Sequence, residues 1–406
     1  MDPTHRWKFN DGPARRQQII DALVRGDTDW GKYLVGMTGV SEISNGLDLR
    51  GIDLRGIDLR RARLEKAHLE HANLSGANLS GVALRYACVR EACLDDANLE
   101  GAELTGSDFQ AVSMANAVLA GVSAKGIRFS GSNLENVNWS HANISGADFR
   151  NSRLTNANFE HANADFASFA YCIAENLHAA HGSFKKTIWY KSNMSCAVFD
   201  EAAFTEADLS FAICRQIAMN HVEISRAKLK EVNLTEACLT SAVASETTFA
   251  QAVLSGARFT NAVLTNANFS NAYAHLPADF SGIQAEHAFF MNAAFSKCCF
   301  KKSMLANTFF CEAELSDSDF SETNFTGANL QKANLRRTNL NQAFICNATL
   351  QEASLCDATL NQAKLRDTPL SPSILDGANI DGACISRYFE DIVKASSAQG
   401  TPVYED

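Results

Sequence analysis

The sequence predicts an all-β chain wound into a four-sided solenoid, and three observations predict it. From Leu47 onward every fifth residue is large and apolar, and the residue two before it is usually alanine, as in Ala72-Asn73-Leu74, Ala97-Asn98-Leu99 and Ala147-Asp148-Phe149. A period of five suits neither helix nor long strand, because at 100° per residue the apolar position would precess around a helix and leave no stripe. Finally, large aromatic residues recur at steps of twenty: Phe109, Phe129, Phe149, Phe169 and Trp189, then Phe249 and Phe269. Steps of fifteen from Phe109 reach Ala124, Trp139 and Leu154, with no such consistency.

Each five-residue unit reads as one side and one corner. Two inward residues separated by an outward one make three residues of extended chain. The other two positions, rich in Ser-Gly, Thr-Asn and Glu-Gly, are free to turn. Four units then close one coil of twenty residues. There are about 46 units ending at Ala274 and about 22 more ending at Ile385, or about 17 coils in all. At the ~4.8 Å spacing of paired strands they would stack to about 80 Å.

In chain order, residues 1–46 read as an N-terminal helical cap. Pro13 to Arg25 is an amphipathic helix started at Asp11 or Gly12 and stopped by Gly26, with Ile19, Ile20, Leu23 and Val24 inward. Trp30, Tyr33 and Leu34 suggest a second short capping segment. Residues 47–385 are the solenoid. The step from Ala274 to Phe280 is six residues, which reads as a one-residue corner bulge near 275–277, with Pro277 where a missing amide hydrogen costs least. Residues 386–406 read as a closing helix carrying Tyr388, Phe389, Ile392 and Val393, followed by a tail. Covered ends are expected because open strand edges invite aggregation.

The motif Ala-(Asp/Asn)-Leu-X-X over residues 47–385 resembles that of the pentapeptide-repeat family. That resemblance implies a right-handed quadrilateral β-helix. It also implies two functional precedents. Some members look like B-form DNA in width and negative charge and act on DNA gyrase, and others are bacterial effectors delivered into host cells. In several members the C-terminal end forms a dimer, so the expected state is a monomer or a C-terminal end-to-end homodimer.

Composition narrows the function. A net charge of −10 argues against direct binding to nucleic acid or an anionic membrane, because such binding runs on Lys and Arg displacing counterions. Twelve cysteines without paired spacing, in a chain that opens Met1-Asp2-Pro3 with no apolar leader, suggest the reducing cytoplasm. No apolar run reaches transmembrane length. A solenoid with a filled axis offers no concavity, and the sequence holds no nucleotide loop, paired-cysteine metal motif or recognisable triad, so a non-enzyme without cofactor is expected.

Three surface features could carry chemistry. His141, His161 and His181 fall twenty apart, followed by Glu201 and His221. Stacked on one corner, they could share a metal ion, or they could be a solvated ladder like Asn116, Asn136, Asn156 and Asn176, which is the plainer expectation. The first coil alternates Asp48-Leu49-Arg50, Asp53-Leu54-Arg55 and Asp58-Leu59-Arg60, which suggests exposed ion pairs rather than an anion site. The third feature is apolar residues where the motif wants polar ones: Tyr171, Ile188, Tyr190 and Phe211, then Phe289, Met291, Phe309 and Cys311. They make two apolar patches on the side that carries the phenylalanine stack, or they turn inward in altered coils.

The function expected from all this is a non-catalytic scaffold presenting a rigid wall to a protein partner, with those residues as the partner surface. The alternatives are a DNA-mimicking protector of gyrase and a secreted effector. Against the gyrase alternative, the charge is modest for the length, basic residues are interspersed, and the projecting loops of some gyrase-protecting relatives are absent.

Overall fold

The structure, a computed structural model, describes residues 7–8, 12–27 and 46–406. The chain forms two compact units, Met1–Ala203 and Phe204–Asp406. The segment around Trp30, Tyr33 and Leu34, and Asp11 before the first helix, lie outside the described residues.

Within each unit the coil follows from where one repeat sends its five backbone N–H groups. In Ala72-Asn73-Leu74-Ser75-Gly76, Ala72 N–H closes the corner turn on the Leu69 carbonyl at 3.0 Å. Asn73 N–H donates back one coil to Ile52, while Leu74 and Gly76 donate forward to Cys93 and Asp95. Ser75 N–H donates to the Asn73 side chain, Oδ1, at 3.1 Å. No amide of the repeat is left over, as burial of a backbone requires. The asparagine or aspartate of the motif is therefore a cap: the same bond joins Asn98 Oδ1 to Glu100 N–H at 2.9 Å and Asn158 Oδ1 to Glu160 N–H at 2.9 Å.

The middle residues of the sides form parallel bridges to residues twenty further on, as in Asp48↔His68, Asn138↔Asn158 and His178↔Val198 in the first unit, and Asp208↔Lys228 and Phe289↔Phe309 in the second. Nearly every corner ends on a residue with positive φ, such as Gly146 (67°), Asn116 (60°) and His141 (58°). Glycine adopts that conformation without strain, and asparagine and histidine tolerate it better than most residues.

The axis is filled with rings. In the first unit Phe129 and Phe149 stack with centroids 5.4 Å apart, Phe149 and Phe169 at 4.9 Å, and Phe169 and Trp189 at 4.1 Å, all fully buried. In the second, Phe269, Phe290 and Phe310 stack at 5.0 and 4.6 Å. A second column there, Phe259, Phe280, Phe300 and Phe320, meets the first edge to face. Burying each such side chain is worth roughly 1.5–3 kcal/mol before the entropy of ordering is deducted.

At the six-residue step the partner offset changes from twenty to twenty-one for Arg258↔Asp279 through Tyr273↔Ala294, then returns to twenty at Asp279↔Cys299. The extra residue stays at the corner, where Leu276 O accepts from Gly256 N–H and the Leu276 side chain is exposed.

Helix α1 (Gly12–Arg25) buries Ile19, Ile20, Ala22 and Leu23, while Val24, expected inward, is exposed. The reason is what faces it: in the last turn Val24 lies beside the charged Asp58, Arg60 and Arg61 of the first coil rather than against an apolar surface. The helix stops where expected, with Gly26 at φ 78° donating to Leu23 O and Asp27 to Ala22 O, a Schellman closure. In the second unit three parallel strands continue the coil: β1 (Lys364–Leu365), β2 (Cys384–Ser386) and β3 (Val403–Glu405), paired in that order. Over 386–406, a short helix α2 (Glu390–Ala395) buries Val393 and leaves Tyr388 exposed, and the segment after it is a paired strand rather than a loose tail.

Candidate functional site

The outward apolar residues stand on the surface, flanking a sealed axis. Tyr171, Ile188 and Met291 are exposed, and Tyr190, Phe211, Phe289 and Phe309 are half-buried. Their neighbours Trp189, Phe290 and Phe310 are fully buried. The coil therefore keeps its register through the Phe289-Phe290 and Phe309-Phe310 doublets, and the outer member of each pair points away from the axis. Phe289 and Phe309 stack face to face, centroids 5.0 Å apart and 7° from parallel. Tyr171 and Tyr190 meet edge to face at 5.7 Å.

Several exposed apolar residues were missed. Phe166, Ile173, Met304 and Phe344 are exposed, and Lys364 Nζ lies 4.8 Å from the Phe344 ring. Phe166 was legible: it occupies the glycine-like corner position, one step of five before Tyr171. Ile173, Met304 and Phe344 sit at the middle, outward position of the unit, where the motif wants Asp or Asn.

The histidine column is a stack. His141 and His161 lie 5.0 Å apart and 9° from parallel, His161 and His181 4.9 Å and 10°, and His181 Nδ1 lies 3.2 Å from a Glu201 carboxylate oxygen. Parallel rings direct their nitrogen lone pairs side by side rather than toward one point, and among the described residues no three His, Cys, Asp or Glu side chains converge as metal ligands. His221 belongs to the second unit. The asparagine column does bond to itself, Asn136 to Asn116 and Asn156 to Asn136, each at 3.0 Å, with Asn116 donating to Asp96 at 3.1 Å.

In the first coil each aspartate is held by the arginine two residues later through both carboxylate oxygens: Asp48 by Arg50, Asp53 by Arg55 and Asp58 by Arg60. The Arg60 hydrogen bonds pull the Asp58 carboxyl down to about 2. These carboxylates are neutralised locally, which leaves little anion- or cation-binding capacity.

Nothing among the buried thiols suggests a nucleophile. Burial pushes Cys172 and Cys298 up to about 11 and Cys214 to about 12, the opposite of what thiolate chemistry needs. No helix among the described residues is long and apolar enough to cross a membrane.

The chain matches the family model described as pentapeptide repeats in eight copies, over residues 45–81, 62–101, 92–131, 125–160, 142–174, 244–274, 310–342 and 333–371, together more than half its length. Among solved structures it is similar to HetL, a pentapeptide repeat protein involved in heterocyst differentiation regulation in the cyanobacterium Nostoc sp. strain PCC 7120, with 20% identity, 64% of this chain and 89% of that one covered, and a TM-score of 0.26. It is also similar to full-length QnrB1, a plasmid-mediated fluoroquinolone resistance protein, with 18% identity, coverages of 53% and 96%, and a TM-score of 0.21. A pentapeptide repeat protein from the Arabidopsis thaliana thylakoid lumen matches at 25% identity, coverages of 26% and 72%, and a TM-score of 0.14. No curated protein matches the sequence.

Proposed function

Because this chain belongs to the pentapeptide-repeat family, whose motif places alanine and leucine inward and an aspartate or asparagine outward, we propose that it is a non-catalytic scaffold whose apolar walls, where that outward pattern is broken, bind a protein partner. The observation that carries this reading is where the family pattern lapses. The stretches 175–243 and 275–309 fall between the matched segments, and they contain Ile188, Tyr190, Phe211, Met291 and the Phe289/Phe309 stack, while Tyr171 lies within a matched segment. Inside, the same stretches remain sealed, with Trp189, Leu209 and Phe290 fully buried. Divergence that spares the core and places apolar side chains outside gives folding nothing, whereas clustered exposed apolar groups suit a contact surface.

The test is capture of partners from native lysate by the tagged full chain and by the Phe289→Ser/Phe309→Ser variant, with thermal unfolding of both as control. Expected is a protein retained by the wild type and reduced at least about tenfold by the folded variant, as removal of an interface anchor should do. An identical set of captured proteins would contradict the reading.

A second reading, a DNA-mimicking modulator of gyrase, is favoured by the net charge of −10. It is weakened because Asp48, Asp53, Asp58 and Asp148 are each tied to an arginine two residues on. The scaffold reading expects supercoiling by gyrase, with and without a quinolone, to be unchanged by equimolar protein. Protection or inhibition would favour the mimic.

A further inference from the structure

We draw no further inference here: the strongest candidate, the exposed apolar patch of the first unit around Phe166, Tyr171 and Ile188, carries nothing beyond the contact surface already proposed, because nothing in the structure shows what covers it.

Discussion

Asp58 illustrates how single residues in this chain are satisfied by their immediate neighbours. Its carboxylate accepts from Arg60 Nε and Nη2 at 2.9 and 2.7 Å, and the hydrogen bonds from Arg60 lower it from the ordinary 3.8 to about 2. A carboxyl depressed by folding contributes stability that is present above its unfolded value and is lost as pH falls through its folded value. The window here runs from about 4 down to about 2. Because both partners are solvent-exposed, the contribution is small and screened by salt. Expected is a carboxyl titration by NMR that moves back toward 3.8 in Arg60→Ala. An unmoved midpoint would mean that the pair does not hold in solution. At this scale Asp-Leu-Arg was legible as a pair, because two residues apart across one inward leucine leaves both side chains outside. The exposure of Val24 was not, since its spacing of four from Ile20 puts it on the inward face, and only the structure shows that charged side chains of the first coil, Asp58, Arg60 and Arg61, stand beside it.

Among elements, the five-residue unit is the smallest piece whose backbone closes, and its middle residue does the closing. Asn98 Oδ1 accepts Glu100 N–H at 2.9 Å, and the next residue in the same column, Val118, offers no such acceptor. Replacing Asn98 with Ala should cost about 0.5–2 kcal/mol, as loss of a helix cap does, and Val118→Asn should recover part of that amount. Chemical denaturation of both variants checks it, and equal midpoints would show that solvent satisfies the corner amide as well as the side chain does. The alternation of inward and outward residues was legible because alanine and leucine mark it in nearly every unit. The strand Val403–Glu405 was not, because the run from Arg387 to Ala395 interrupts the period, and only pairing with Cys384–Ser386 reveals the segment after it as another side.

For the whole molecule, function belongs to the outward positions, where the repeat constrains least. That is why the fold was legible and the site only partly so. Tyr171, Ile188, Tyr190, Phe289 and Phe309 stood out by breaking the motif, and Phe166, at the equivalent corner one step of five before Tyr171, broke it in the same way and was missed. The reading depends throughout on adjacent residues facing opposite ways, and Ile188 and Trp189 put that to the sharpest test. Ile188 is 45% exposed and Trp189 is fully buried within the ring stack. The decisive measurement is the urea unfolding midpoint of Ile188→Ser beside that of Trp189→Ala. Expected is a loss of about 3–5 kcal/mol for Trp189→Ala, the usual cost of emptying an aromatic site in a core, and less than about 1 kcal/mol for Ile188→Ser. Comparable losses at both positions would place Ile188 inside, and with it the apolar wall on which the proposed function stands.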